Sequence, residues 1–261
     1  MDSKPTNIDK NNLVDFTLFL ADSSLIMGHR LSEWTGHGPM LEQDIAITNI
    51  ALDLIGQARN FYQYAAELIT NQKDKKINED DLAYLRDTHE FKNLLITELP
   101  NGDWAKTICK VFFFSTWQFY FYQKLIYSGD KQLAAITEKS LKEVTYHLKW
   151  SSDWVIRLGD GTEESKKRME KAVQDLWPYT GEMFIAADFE ISLENSVSIN
   201  VSGIKNDWME KVKSVSQEAT LSLPSGTWMQ SGGKKGVHTE HLGYILAEMQ
   251  FLQRAYPGLE W

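Results

Sequence analysis

One cysteine, Cys109, stands alone among 261 residues. A single thiol excludes an intrachain disulfide framework and fits a reducing compartment. It lies in an apolar run between Ile108 and Val111, so it reads as a buried structural thiol rather than a nucleophile. Proline is scarce, with six residues, and no Gly/Ser/Pro linker divides the chain, which favours one domain over two. Positive charge is in the minority: 27 Lys and Arg against 36 Asp and Glu give a net charge of −9. That argues against a general nucleic-acid binder, which needs a basic face. The most apolar stretch, Val111 to Tyr122, is too short to cross a bilayer. Met1 to Asn12 is polar and mixed in charge, without the apolar core of a signal peptide, and reads as a flexible N-terminus. A cytoplasmic, soluble protein is the expectation. Also missing are any sustained strand alternation and any repeat of fixed period.

What is present is helical periodicity almost throughout. Apolar residues at Leu13, Phe16, Leu20 and Ile26 predict a helix to about His29. Pro39 opens a second helix over about Leu41 to Ile69, with Glu42 and Asp44 at the positive end of its dipole. Further helices are predicted over Glu79–Glu98, Trp104–Tyr127, the stretch from Asp130 to Leu158, Glu163–Ala187, Ile204–Leu221 and His238–Tyr256. Ser192 to Gly203 gives no clear pattern, and Pro224 to Gly236 reads as an ordered loop. Long helices with short links mean a bundle, and the fold class is all-α.

Eight of the eleven residues from Phe112 to Tyr122 are aromatic. At about 100° per residue they surround the axis, so this helix must be buried on every face. Two readings stay open: a central bundle helix, or one whose outer face meets another chain.

Carboxylate-bridged di-iron bundles take a Glu from each of two helices and Glu-x-x-His from each of the other two. Asn49, Asp53 and Gln57 stack at i, i+4 on the second helix, but Gly56 follows Asp53 by three and that helix has no histidine. His147 on the fourth helix has Val144 three before it, while Glu143 sits four before it. From Ala105 to Tyr127 there is no Asp or Glu. A metal-free reading makes Asp53, Glu143 and His147 a hydrogen-bonded core network, with Arg30 or Arg59 as partner for Asp53. The alternative is a di-metal oxidase with displaced ligands Glu42, Asp53, Glu143 and His147.

Several segments carry a resemblance. Leu31-Ser32-Glu33-Trp34, Gly36-His37-Gly38-Pro39, Asp53 to Asn60, Pro100-Asn101-Gly102, Tyr146-His147-Leu148, Gly232 to Gly243 and Ala247-Glu248-Met249-Gln250 resemble the structural subunits of bacterial phenylacetyl-CoA epoxidases. The likeness spans about Asn12 to Trp261. It implies a single ferritin-like helical domain over residues 13–261, a four-helix bundle with additional C-terminal helices. It also implies a non-catalytic structural role in aerobic phenylacetate catabolism. The expected partners are a di-iron catalytic subunit and a reductase component that brings in NADPH, with phenylacetyl-CoA reached through the complex and no cofactor in this chain. Against the catalytic paralogue, Leu25 and Val144 stand where ligand glutamates belong, and only His147 is kept.

Gly232-Gly233-Lys234-Lys235-Gly236 precedes a helix whose expected cap is Thr239. Glycines can turn several N–H groups to one side, and a helix start adds positive potential. Given the implied substrate, Lys234 and Lys235 are expected to reach the phosphates of a CoA shared with the partner; an exposed solvated turn is the plain alternative. His238 and His241 do not match His-Glu-x-x-His and read as a helix-start cluster. His29 and His37, beside glycines, read as structural.

Overall fold

The computed structural model describes residues 9–73, 76–197 and 200–259; residues 1–8 of the expected flexible N-terminus lie outside them. Eleven α-helices and no strand occur among the described residues. They are α1 (Lys10–Ser32), α2 (Leu41–Lys73), α3 (Glu79–Tyr84), α4 (Leu95–Glu98), α5 (Trp104–Leu125) and α6 (Lys131–Gly159). Then follow α7 (Glu163–Leu176), α8 (Asp188–Val197), α9 (Ile204–Glu218), α10 (Glu240–Met249) and α11 (Phe251–Ala255). Helix α1 starts earlier than its apolar pattern suggested because the Asp9 carboxylate accepts from Asn11 N and Asn12 N.

Four long helices form the bundle, and their cross-contacts fix its topology. Asp22 of α1 meets Tyr62 of α2, whereas Gly28 lies against Ala51 and Ile55. As numbers rise along α1 they fall along α2, so the pair is antiparallel. A Cβ on Gly28 would come within 2.9 Å of the Ile55 side chain, which is why the helices approach so closely there. Between α1 and α5 the pairs Phe16–Phe121 and Phe19–Trp117 run antiparallel. Between α2 and α6, Gln57–Glu143 and Asp53–His147 do the same. Thus α2 and α5, consecutive in the bundle, run in the same direction. The chain between them must cross the bundle's length, the single long crossover of a ferritin-like fold.

That crossover overturns the expected helix over Glu79–Glu98. Only α3, a 3-10 turn at Thr88–Glu90 and the one-turn α4 are helical there. The segment is nonetheless deeply buried, with Phe91, Asn93, Leu94 and Glu98 fully enclosed. Buried backbone needs partners, and here side chains from elsewhere provide them. Lys92 N donates to Asp22 Oδ2 (2.8 Å), Leu94 N to Ser23 Oγ (3.2 Å) and Leu95 N to Glu182 Oε2 (2.9 Å). Those acceptors replace the helical ladder.

A second expected helix, Glu163–Ala187, also stops early, at Leu176. Pro178 has no N–H and disfavours helical geometry at Trp177, and two 3-10 turns follow. Helix α8 then covers part of the stretch without a clear pattern. The predicted last helix divides into α10 and α11 at Gln250, whose buried amide donates to Ala83 O and Arg86 O.

The aromatic α5 is the central helix. Its side away from α1 is covered by this chain's own α7 and α9, with Phe113 packed on Trp177 and Trp208 at 5.9 and 5.7 Å. The Trp208 indole N–H donates to Phe113 O at 3.0 Å. Phe119 and Tyr120 alone of the eight aromatics are half-buried. Cys109 is enclosed as expected, and burial pushes its thiol well above the ordinary range.

Candidate functional site: the polar seam between α2 and α6

Asp53 and Gln57 lie one turn apart on α2, and Glu143 and His147 one turn apart on α6. Antiparallel packing sets the two pairs opposite each other. His147 Nε2 stands 2.9 Å from Asp53 Oδ2; a carboxylate only accepts, so Nε2 carries the proton. Gln57 Nε2 donates to Glu143 Oε2 at 2.9 Å. Gln118 Nε2 of α5 donates to Gln57 Oε1 (3.3 Å) and to the Tyr122 hydroxyl (3.2 Å), which carries the network into the core. His147 is enclosed, whereas Asp53 and Glu143 are partly exposed at the seam's lip. Burial raises the Glu143 carboxyl above its ordinary value, against the lowering effect of the Gln57 bond.

The expected core network therefore exists, with different partners for Asp53. Arg30 donates to Glu98 O and Glu33, and Arg59 reaches Glu79 at 3.4 Å. Neither guanidinium is the partner of Asp53, because His147 occupies that side of the seam. Glu42 does not join the network either. It lies eleven residues before Asp53, about 16 Å along one helix, in the exposed first turn of α2.

These donors do not fit a pair of bridged irons. Among the described residues no three His, Cys, Asp or Glu side chains gather closely enough to hold a metal ion. Leu25 and Val144 are buried apolar side chains at the positions the resemblance singles out. Helix α5 brings only Thr107, Ser115, Thr116, Gln118 and Lys110 as buried polar groups. His147 and Glu143 each already have a protein partner.

The glycine–lysine loop does form a cradle for an anion, but the anion is internal. Gly232 N and Gly233 N both donate to Glu182 Oε1 at 2.7 Å, and Leu95 N donates to Glu182 Oε2. Burial raises the Glu182 carboxyl, against these three N–H donors. Lys234 is enclosed, with Nζ on Glu190 Oε2 (2.8 Å) and Ile185 O (2.9 Å) and over the Phe19 ring. The pair expected to reach phosphates is thus split: Lys234 belongs to the core, and only Lys235 is exposed. A Cβ at Gly233 would meet Asn93 O at 2.2 Å, so the loop can sit this close only as glycine.

Thr239 caps α10 as expected, and its N–H and hydroxyl also donate to Glu98 Oε2 at 2.9 and 2.6 Å. His238 Nδ1 lies 2.6 Å from Glu98 Oε1 and Nε2 2.8 Å from Phe91 O. Both neighbours are acceptors, so the ring is an imidazolium. Burial lowers its pKa, but the Glu98 bond and charge outweigh that and leave it raised. His29 lies inside α1 and burial lowers its pKa; His37 Nδ1 contacts Thr35 O in the turn beyond.

Two other buried ionic features escape a reading of local pattern. Asp22 is bound by both nitrogens of the Arg86 guanidinium and by the Tyr62 hydroxyl. Lys110 donates to Leu99 O (2.7 Å) and Asn101 Oδ1 (2.9 Å), and burial brings its ammonium down to about 7. An acid beside Leu18, Phe19, Leu20 and Ala21, and a lysine inside an aromatic helix, are the signals that point to them.

The profile of the phenylacetic acid catabolic protein family matches residues 1–261. The chain belongs to that family. Within the phenylacetic acid catabolic protein family, it is similar to a 1,2-phenylacetyl-CoA epoxidase subunit of Escherichia coli (strain K12). The two are 46% identical over 252 residues, covering 96% of this chain and 100% of that protein. No helix among the described residues is long and apolar enough to cross a membrane.

Proposed function

We propose that this chain is the structural subunit of a multicomponent phenylacetyl-CoA epoxidase and takes part in phenylacetate catabolism. On this reading it pairs with a di-iron catalytic subunit and performs no redox step of its own, while a reductase component delivers electrons from NADPH to that partner. The near-full-length likeness to an epoxidase subunit supports the assignment to such a complex. The observation that carries the structural role is the pairing inside the seam: Asp53 with His147, and Glu143 with Gln57. The groups that remain where a metal site would sit are taken up by one another.

Contact with the CoA phosphates, expected of two lysines, falls on this reading to Lys235. An exposed cation at the edge of a shared site contributes about 1 kcal/mol or less. Lys235→Ala should therefore raise the complex's apparent KM for the CoA substrate by less than about tenfold. Lys234→Ala acts through stability instead, because it strands Glu190 in the core.

Co-expression with the catalytic subunit tests the assignment. The expected result is a complex that turns over phenylacetyl-CoA, with iron bound in the ratio set by the catalytic subunit alone. Stoichiometric iron bound by this chain purified alone, together with oxidase activity, would establish the di-metal enzyme instead.

A further inference from the structure

The solvent side of the seam differs from the rest of the molecule in both polarity and charge. Ile45 and Leu52 of α2 are 51% and 61% exposed and fall on one stripe at about 100° per residue. Gly56 continues the stripe, and a Cβ there would meet nothing within 4 Å. Across the seam α6 exposes Tyr146, at 48%. On the same outer side of α6 lie the exposed cations Lys142, Lys149 and Arg157. Among the described residues none of these three has a carboxylate within 4.0 Å. In a chain of net charge −9 this is a local reversal of sign beside an apolar strip.

We propose that this outer face of α2 and α6 is the docking surface for a helical partner whose contact face is apolar at its centre and acidic at its rim. The inference rests on the function proposed above and names the surface through which the catalytic subunit is held. Ile45, Leu52 and Tyr146 are the apolar anchors; the three cations steer and register the acidic rim. Charge decides against a second copy of this chain. A two-fold contact places the same patch on both sides, so lysines would face lysines. The seam is also prepared for being covered. Asp53 and Glu143 at its lip already have their hydrogen bonds, so an apolar face can close over them without leaving either unpaired.

The test measures binding of the purified chain to its immobilised catalytic subunit at about 50 mM and about 200 mM salt. Leu52→Asp should weaken binding about tenfold or more. Reversal of Lys142, Lys149 and Arg157 to Glu should weaken it at low salt and flatten the salt dependence. Phe251→Ser, which removes an exposed aromatic from α11, should bind as wild type. All the substituted residues are exposed, and melting curves matching wild type would exclude misfolding. Wild-type binding by both Leu52→Asp and the charge-reversed variant overturns the surface while the proposed function stands. Failure of wild-type protein to bind the catalytic subunit overturns the function, and the docking surface with it. Loss of a homodimer in Leu52→Asp, with partner binding unchanged, assigns the face to a second copy and equally overturns the inference.

Discussion

Asp22 and Arg86 stand 64 residues apart in sequence, yet together they hold the start of the crossover onto α1. The carboxylate accepts from Arg86, Tyr62 and the Lys92 backbone, and the guanidinium also donates to Leu82 O and Glu90 O. Removing one partner leaves an uncompensated buried charge. Arg86→Met should therefore cost about 3–5 kcal/mol, read from denaturant unfolding; a loss under about 1 kcal/mol would show the pair to be dispensable. His238 adds a pH dependence. Its folded pKa is raised, so its contribution is fully present below its ordinary 6.5 and is lost as pH rises through the folded value. Lys110 works in the opposite direction: with a folded value of about 7, the unfolded chain binds the extra proton between about 7 and 10.5, so stability rises across that window. The difference in Tm between wild type and His238→Gln isolates the histidine. It should be largest near pH 5.5 and shrink towards pH 8.5, and a difference that grows with pH would contradict the imidazolium assignment.

The helices divide by whether their backbone bonds are local. In α1, α2, α5 and α6 each N–H finds its partner four residues back, so apolar spacing and caps suffice to reveal all four. The crossover is hidden because its donors end on Asp22, Ser23 and Glu182, residues about 70 to 90 positions away. No window of local periodicity contains such partners. For the same reason Lys234 reads as a surface cation in the sequence: only the fold brings Glu190 to it. The seam is half legible. Its residues stand out as polar groups on apolar faces, but the pairing of Asp53 with His147 depends on the register of α2 against α6. The close approach of α1 to α2 at Gly28 carries a prediction at this scale. Gly28→Leu must displace Ile55 and the Ala51 carbonyl, so it should destabilise the fold by about 1–3 kcal/mol. Gly56→Ala, on the open side of α2, should be neutral or slightly stabilising in the isolated chain. Equal effects of the two would mean the helices are not packed at that register.

At the scale of the whole molecule, the chain keeps a ferritin-like bundle and fills its interior with aromatic side chains and self-paired polar groups. Family membership over its entire length, and near-complete alignment with an epoxidase subunit, support the proposal that this bundle serves a catalytic neighbour. The most direct test of this account is the epoxidation rate of the reconstituted complex in which this chain alone carries Asp53→Asn and His147→Gln. An unbroken seam is not needed for chemistry on this account, so turnover per assembled complex should stay within about threefold of wild type. A loss of a hundredfold or more, with the complex still assembled, would make these residues part of a reacting centre and contradict it.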